Sequence, residues 1–148
     1  FEVGNIAFYS RLLDGQYPDT DRLIPTESTT SVEFELPVLA RSLERASLLT
    51  HESRNNVVKM TLDVQNQLVK LQGDSPEIGN VEEEIGFKNL EGEGLTISFN
   101  PDYLREALRA SITDSIIMNF TQPLRPFTVI PAKQDVNFTQ LITPVRTF

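Results

Sequence analysis

Two stretches of this chain follow one plan, and that internal repeat limits the fold more tightly than any other feature of the sequence. SVEFELPVLARSLERA at 31–46 and LTISFNPDYLREALRA at 95–110 each pass from strand-like alternation into the three-and-four spacing of an amphipathic helix. At an offset of 64, Pro37 matches Pro101, Arg41 matches Arg105, Arg45 matches Arg109 and Ala46 matches Ala110. Each proline is predicted at the first helical position, where its missing N–H has no partner to lose, and Asn100 is a good N-cap ahead of Pro101. Leu36, Leu39, Ala40, Leu43 and Ala46 give the first helix a buried stripe; Leu104, Ala107, Leu108 and Ser111 give the second a narrower one.

Strand patterns follow each helix. NVVKMTLDV, QLVKLQG and VEEEIGF come after the first, between turn signals at Asp63, Gly73-Asp74 and Gly86; SIIMNFT, FTVIP and TQLITPV come after the second. The unit is therefore βαβββ, used twice, with the glycines of LEGEGL as the connection. An α+β layer design follows, with one continuous antiparallel sheet surface and both helices packed on one face.

The chain opens on a different pattern. In FEVGNIAFYSRLL, Val3, Ile6, Phe8 and Leu12 bracket polar positions like a strand already under way, so the chain is expected to begin mid-domain. Asp14-Gly15, Pro18, Asp19 and Pro25 then make residues 14–30 a linker, with the domain boundary near Pro25. The other end, LITPVRTF at 141–148, is more apolar than a fraying terminus, so something is expected to hold it.

Composition bounds the function. The net charge of −8 argues against a protein coated in basic charge, while leaving room for local basic surface. Without cysteine there is no disulfide framework and no thiolate metal site, and no apolar run approaches the roughly 20 residues of a membrane span. A cytoplasmic protein is the expectation, and the sequons at Asn119 and Asn137, both in predicted strands, read as coincidence. Catalysis finds little support: the single histidine, His51, stands beside Glu52 without the partners of a triad or metal site, no glycine loop cradles a phosphate, and no cofactor is implied.

The arginines allow two readings. Arg41 with Arg45 and Arg105 with Arg109 are i,i+4 pairs on one side of each helix, and Glu44, Asp102 and Glu106 beside them suit ordinary surface pairs. The same spacing also suits two helices that present guanidinium groups to phosphates, contacts that position a protein on a duplex without reading bases.

SRLLDGQYPDTDRLIP at 10–25, SFNPDYLREAL at 98–108, PLRPF at 123–127 and the ending TPVRTF together resemble the bacterial replicative sliding clamp, the beta subunit of DNA polymerase III, in its Gram-positive form. The resemblance runs through essentially the whole chain in order. It implies that residues 1 to about 25 are the last strand and exit linker of the middle clamp domain and 26–148 a complete third domain. In that family two head-to-tail protomers close a ring of six similar domains, with sheets outside and helices lining a pore around duplex DNA. Arg41, Arg45, Arg105 and Arg109 become candidates for the pore side.

The resemblance also implies a cleft that receives short peptides from the polymerase, the clamp loader and repair proteins. Its members here would be Pro18, Arg22 and Leu23 from the linker, Asn100 and Tyr103 from the second helix start, Leu124 and Pro126 from a strand end, and Leu141, Thr143, Pro144, Val145 and Arg146 from the tail. Aliphatic walls would make a dry site, with Arg22, Arg146 and Asn100 bonding peptide carbonyls or an acidic flank. Thr143 stands where relatives often carry methionine, and Thr147 and Phe148 run past the usual end, which alters the pocket's depth and rim. For ring closure the candidates are Leu48 and Leu49 with the acidic edge of Glu77, Glu82, Glu83 and Glu84; the same acidic run also suits a solvated strand edge. With the first domain and most of the second absent, this chain is not expected to close the homodimer. The resemblance implies a non-catalytic processivity factor. Composition alone leaves a stand-alone α+β interaction module, without a DNA role, as the alternative.

Overall fold

Alternating apolar residues at the start of the chain fold back instead of extending. In the computed structural model, which describes residues 1–17, 19–50, 56–77, 79–133 and 137–147, strands β1 (Glu2–Val3) and β2 (Ile6–Ala7) pair antiparallel, Glu2 opposite Ala7 and Val3 opposite Ile6. Gly4 makes the reversal with φ +63°, a conformation that costs glycine little. The single strand expected here is thus a two-residue hairpin, and Gly4-Asn5 was its signal. Val3, Ile6, Phe8, Tyr9, Leu12 and Leu13 are all left exposed. One 3-10 turn, Thr20–Arg22, interrupts the linker.

From Thr30 on, the repeat governs the order of elements. The first unit supplies β3 (Thr30–Glu35), α1 (Leu36–Thr50), β4 (Val58–Asp63), β5 (Leu68–Ser75) and β6 (Gly79–Glu84). After a short strand β7 (Asn89–Gly92), the second unit supplies β8 (Leu95–Phe99), α2 (Pro101–Ala110), β9 (Ser115–Phe120), β10 (Phe127–Pro131) and β11 (Gln140–Ile142). His51 and Glu52 lie outside the described residues. Among the described residues no helix is long and apolar enough to cross a membrane. Asn119 lies in β9 as expected, whereas Asn137 precedes β11 and is exposed.

The two units trade their first strands. One antiparallel sheet runs β11-β10-β9-β3-β7, and the other runs β6-β5-β4-β8. So β3 of the first unit pairs with β9 of the second over six residues, from Thr30↔Phe120 to Glu35↔Ser115, while β8 of the second unit pairs with β4 of the first. The expected single sheet is therefore two sheets. A backbone link between them is an antiparallel bridge between Phe99 and Pro144 beside the Val145 N–H that donates to the Ser98 carbonyl oxygen at 2.7 Å. The tail is the splice that brings the two sheets close to the one surface predicted.

Period-two patterning fills the space between sheets and helices. Val32 and Phe34 of β3, Val58, Met60 and Leu62 of β4, and Ile116, Met118 and Phe120 of β9 all point inward and are fully buried. Helix α1 packs on β5, β6, β3 and β4 and against α2, which in turn leans on β11. On α1 the buried face holds Leu39, Leu43 and Ala46 as expected, but Leu36 and Ala40 are half-buried, and Ser42, Ser47 and Thr50 take buried places. Their hydroxyls find acceptors, Ser47 donating to the Glu44 carbonyl oxygen at 2.8 Å, Thr50 to the Ser47 carbonyl oxygen at 3.3 Å and Ser42 across to Glu83 Oε1 at 2.8 Å, so burial carries no orphaned hydroxyl donor. Pro37 falls one residue inside α1, still within the first turn, whereas Pro101 opens α2 as predicted.

Two glycine readings need correction. Gly73-Asp74 is not a turn but part of β5, because a Cβ on Gly73 would lie 2.5 Å from the Ala46 carbonyl oxygen; glycine is what lets α1 sit this close to the strand. The LEGEGL segment is not a bare connection either. It contributes the edge strand β7, with Leu90 buried opposite Val32, and ends at Gly92 with φ +102° against the Thr29 carbonyl.

Four fully buried phenylalanines, Phe34, Phe99, Phe120 and Phe127, are among the largest side chains of the core. Phe127 meets Phe99 edge-to-face at 5.3 Å and stacks on Phe120 at 4.9 Å, which places one ring between the two sheets at the splice. Phe127→Ala is expected to cost about 3–5 kcal/mol of unfolding free energy, read as a lowered urea midpoint with an unchanged slope.

Candidate functional site

The tail is held by backbone, which frees its side chains. Strand β11 pairs with β10 so that Ile142, opposite Phe127, is buried and Leu141 stands half out. Thr143 is exposed, Pro144 abuts Phe99, and the Val145 bond to β8 turns Val145, Arg146 and Thr147 over the outer surface of the second sheet. Thr147 Oγ1 lies 3.4 Å from Ser98 Oγ, so Thr147 belongs to this rim, while Phe148 lies outside the described residues.

Around this tail the residues expected to share one cleft are distributed over three hollows. Tyr103 and Leu141 line a hollow of about 320 Å³ between α2 and β11, together with Glu106 and Ala110. Arg22, Leu23 and Pro126 line a second, of about 320 Å³, with Gln122 and Arg125. Leu124, Val145 and Arg146 line a third, of about 360 Å³, with Lys59, Ser98 and Pro123. The loop 121–126 borders the second and third, and the segment 140–147 borders the first and third. Asn100, Thr143 and Pro144 line none of them, and Pro18 lies outside the described residues. Lys59, Ser98, Gln122 and Arg125 were missed by sequence reasoning. Only the register Lys59↔Ser98 brings the first two together beside the tail.

Asn100 is occupied by its own helix. Its Oδ1 accepts the Asp102 N–H at 2.9 Å, the N-cap bond predicted from the sequence, and Asn56 Nδ2 donates to Asp102 Oδ2 at 2.8 Å. Arg105 pairs with the other Asp102 oxygen. This ties the start of α2 to the segment that leaves α1.

The four arginines separate into two kinds. Arg105 is held by Asp102, and Arg45 grips Glu83 through two guanidinium nitrogens, with Ser42 completing the cluster. Arg41 and Arg109 are exposed and make no ion pair among the described residues. Of the acidic edge, Glu82 is engaged by Lys70 at 2.6 Å and by Gln72, and Glu83 by Arg45; Glu77 and Glu84 are exposed. Strand β6 is the outer strand of its sheet, Leu48 is 68% exposed near it, and Leu49 is half-buried.

Residues 21–146 match the family described as DNA polymerase III beta subunit, C-terminal domain. The beta sliding clamp of Streptococcus pneumoniae is 48% identical over 147 residues, which is 99% of this chain and 38% of the relative, so the chain spans little more than a third of that protein's length. Among solved structures, the DNA polymerase III beta chain of Streptococcus pneumoniae superimposes with a TM-score of 0.87 at 47% identity, over 93% of this chain and 36% of that one. The DNA polymerase sliding clamp of Bacillus subtilis gives 0.84 at 43% identity, over 94% of this chain and 36% of that one. The α+β fold read from the repeat is thus the sliding-clamp fold.

Acid should loosen the edge of the second sheet. The Arg45 guanidinium, helped by the Ser42 hydroxyl, holds the Glu83 carboxyl below its usual range, and Lys70 with Gln72 does the same for Glu82. Carboxyls depressed by folding stabilise the native state above their ordinary titration range, and that contribution is lost as pH falls below that range and through the depressed values. Glu83→Gln is therefore expected to lower the urea midpoint at pH 7 and to show a shallower further loss on acidification than the unmodified chain.

Proposed function

The chain belongs to the family formed by the C-terminal domain of the DNA polymerase III beta subunit, and from that membership we propose that it serves as part of a ring-shaped sliding clamp that tethers the replicative polymerase to duplex DNA in the cytoplasm. In this reading residues 26–148 act as the third clamp domain and residues 1–25 as the end of the domain before it. The role is non-catalytic: topology and weak phosphate contacts hold DNA, and peptides from polymerase, loader and repair proteins dock on the outside. Arg41 and Arg109, exposed and unpaired among the described residues, are the better candidates to meet phosphates; Arg45 and Arg105 would first have to leave Glu83 and Asp102. Loose contacts of this kind favour sliding, because they are sequence-blind and screened by salt. Leu48, Leu49 and the β6 edge suit the seam of a two-protomer ring, with Glu77 and Glu84 left for a basic partner surface.

The docking role rests on one observation above all: residues from the linker, α2, the loop 121–126 and the tail line three hollows, the loop serving the second and third and the tail the first and third. Exposed apolar surface at Leu23, Tyr103 and Leu124, each more than half exposed, supplies the dry contact, and Arg22 and Arg146 supply donors.

A labelled pentapeptide beginning with glutamine and ending in leucine and phenylalanine is expected to bind this chain in a fluorescence anisotropy titration. Tyr103→Ala or Arg146→Ala should weaken it about 5- to 30-fold, the size of a roughly 1–2 kcal/mol interface contact. Binding that survives both substitutions unchanged would remove the cleft assignment.

A further inference from the structure

The hollow under the tail concentrates positive charge in a chain whose balance is −8. Lys59 reaches it from β4, where its neighbours Val58 and Met60 point into the core and so turn Lys59 outward. Arg146 reaches it from the tail, positioned by the backbone bond of the preceding Val145 to Ser98. Neither cation makes an ion pair among the described residues. On the same face Asp74 stands diagonal to Lys59 on β5, and one strand further out Glu82 has both carboxylate oxygens accepting from Lys70 and Gln72. Lys59 senses that carboxylate only at a distance.

The rest of the wall is mixed: Pro123, Leu124 and Val145 make its apolar part, with Leu124 57% exposed, and Thr96, Ser98 and Thr147 add hydroxyls. A volume of about 360 Å³ is enough for one or two side chains. Along the outward face of β4, Lys59 is followed by Thr61 and then Asp63, so the positive charge stops and does not form a track for a phosphate backbone. Paired cations beside an exposed apolar wall fit a peptide that sets a carboxylate next to an apolar side chain.

We propose that this hollow is an acidic-flank subsite of the docking surface, in which Lys59 and Arg146 together take a carboxylate of the docked peptide while Leu124 and Val145 hold its apolar neighbour. Lys59 is the new member, a specificity-determining residue contributed by the sheet and not by the linker, helix or tail. The inference rests on the peptide-docking reading above.

The test uses the glutamine-to-phenylalanine pentapeptide, amidated at its C-terminus, with one aspartate added before the glutamine or after the phenylalanine, and with asparagine in the same two places. One of the two aspartate peptides is expected to bind about threefold more tightly than its asparagine match at low salt, the scale of an exposed charge pair. The ratio should shrink as salt rises, fall to near one in Lys59→Gln, and return in Lys59→Arg. If the pentapeptide binds but aspartate and asparagine are equivalent, or if the preference persists in Lys59→Gln, the subsite is wrong and the docking surface stands. If the pentapeptide does not bind at all, both fall.

Discussion

The ladder between β3 and β9 is the constraint on which the remainder of this structure depends. It joins the first strand of one repeat to the strands of the other, and its partner exchange, β8 onto β4, does the same in reverse. Neither repeat can therefore complete a sheet alone. Because side chains alternate, a one-residue slip in β3 would turn Val32 and Phe34 outward and expose Ser31 and Glu33 to the core, so the register is held by burial on one face.

Everything at the surface of interest is downstream of that exchange. With β8 committed to β4, its other edge is available to the tail, and Val145 uses it to close the gap between the sheets. Holding the tail by main-chain atoms leaves Leu141, Val145 and Arg146 as side chains without structural duties. An apolar terminus that would otherwise fray becomes wall and rim. The same economy is absent from α1 and α2, where half of the basic residues are spent on internal pairs with Glu83 and Asp102.

The same division is seen in the charges of this acidic chain. Charge is not spread evenly but sorted: carboxylates line the outer strand β6, where Glu82 and Glu83 are paired locally, while Arg41 and Arg109 stay exposed on the helices. Local positive surface thus persists inside a negative envelope.

Sequence by itself determined the repeat, both helices, the N-cap of Asn100, most of the strands and the inward-facing residues, because these depend on spacing within one segment. It also carried the family, since PDTDRLIP, NPDYLREAL and TPVRTF are local motifs. Only the tertiary structure decided which strands pair across the two units, that Gly73 marks a close helix approach and not a turn, and that GNIA folds into a hairpin. It likewise decided which arginines are spoken for and that Lys59 reaches the tail. Those outcomes depend on contacts between residues far apart in the chain, such as Lys59 with Ser98 or Arg45 with Glu83, and no pattern within a single segment encodes the partner on another.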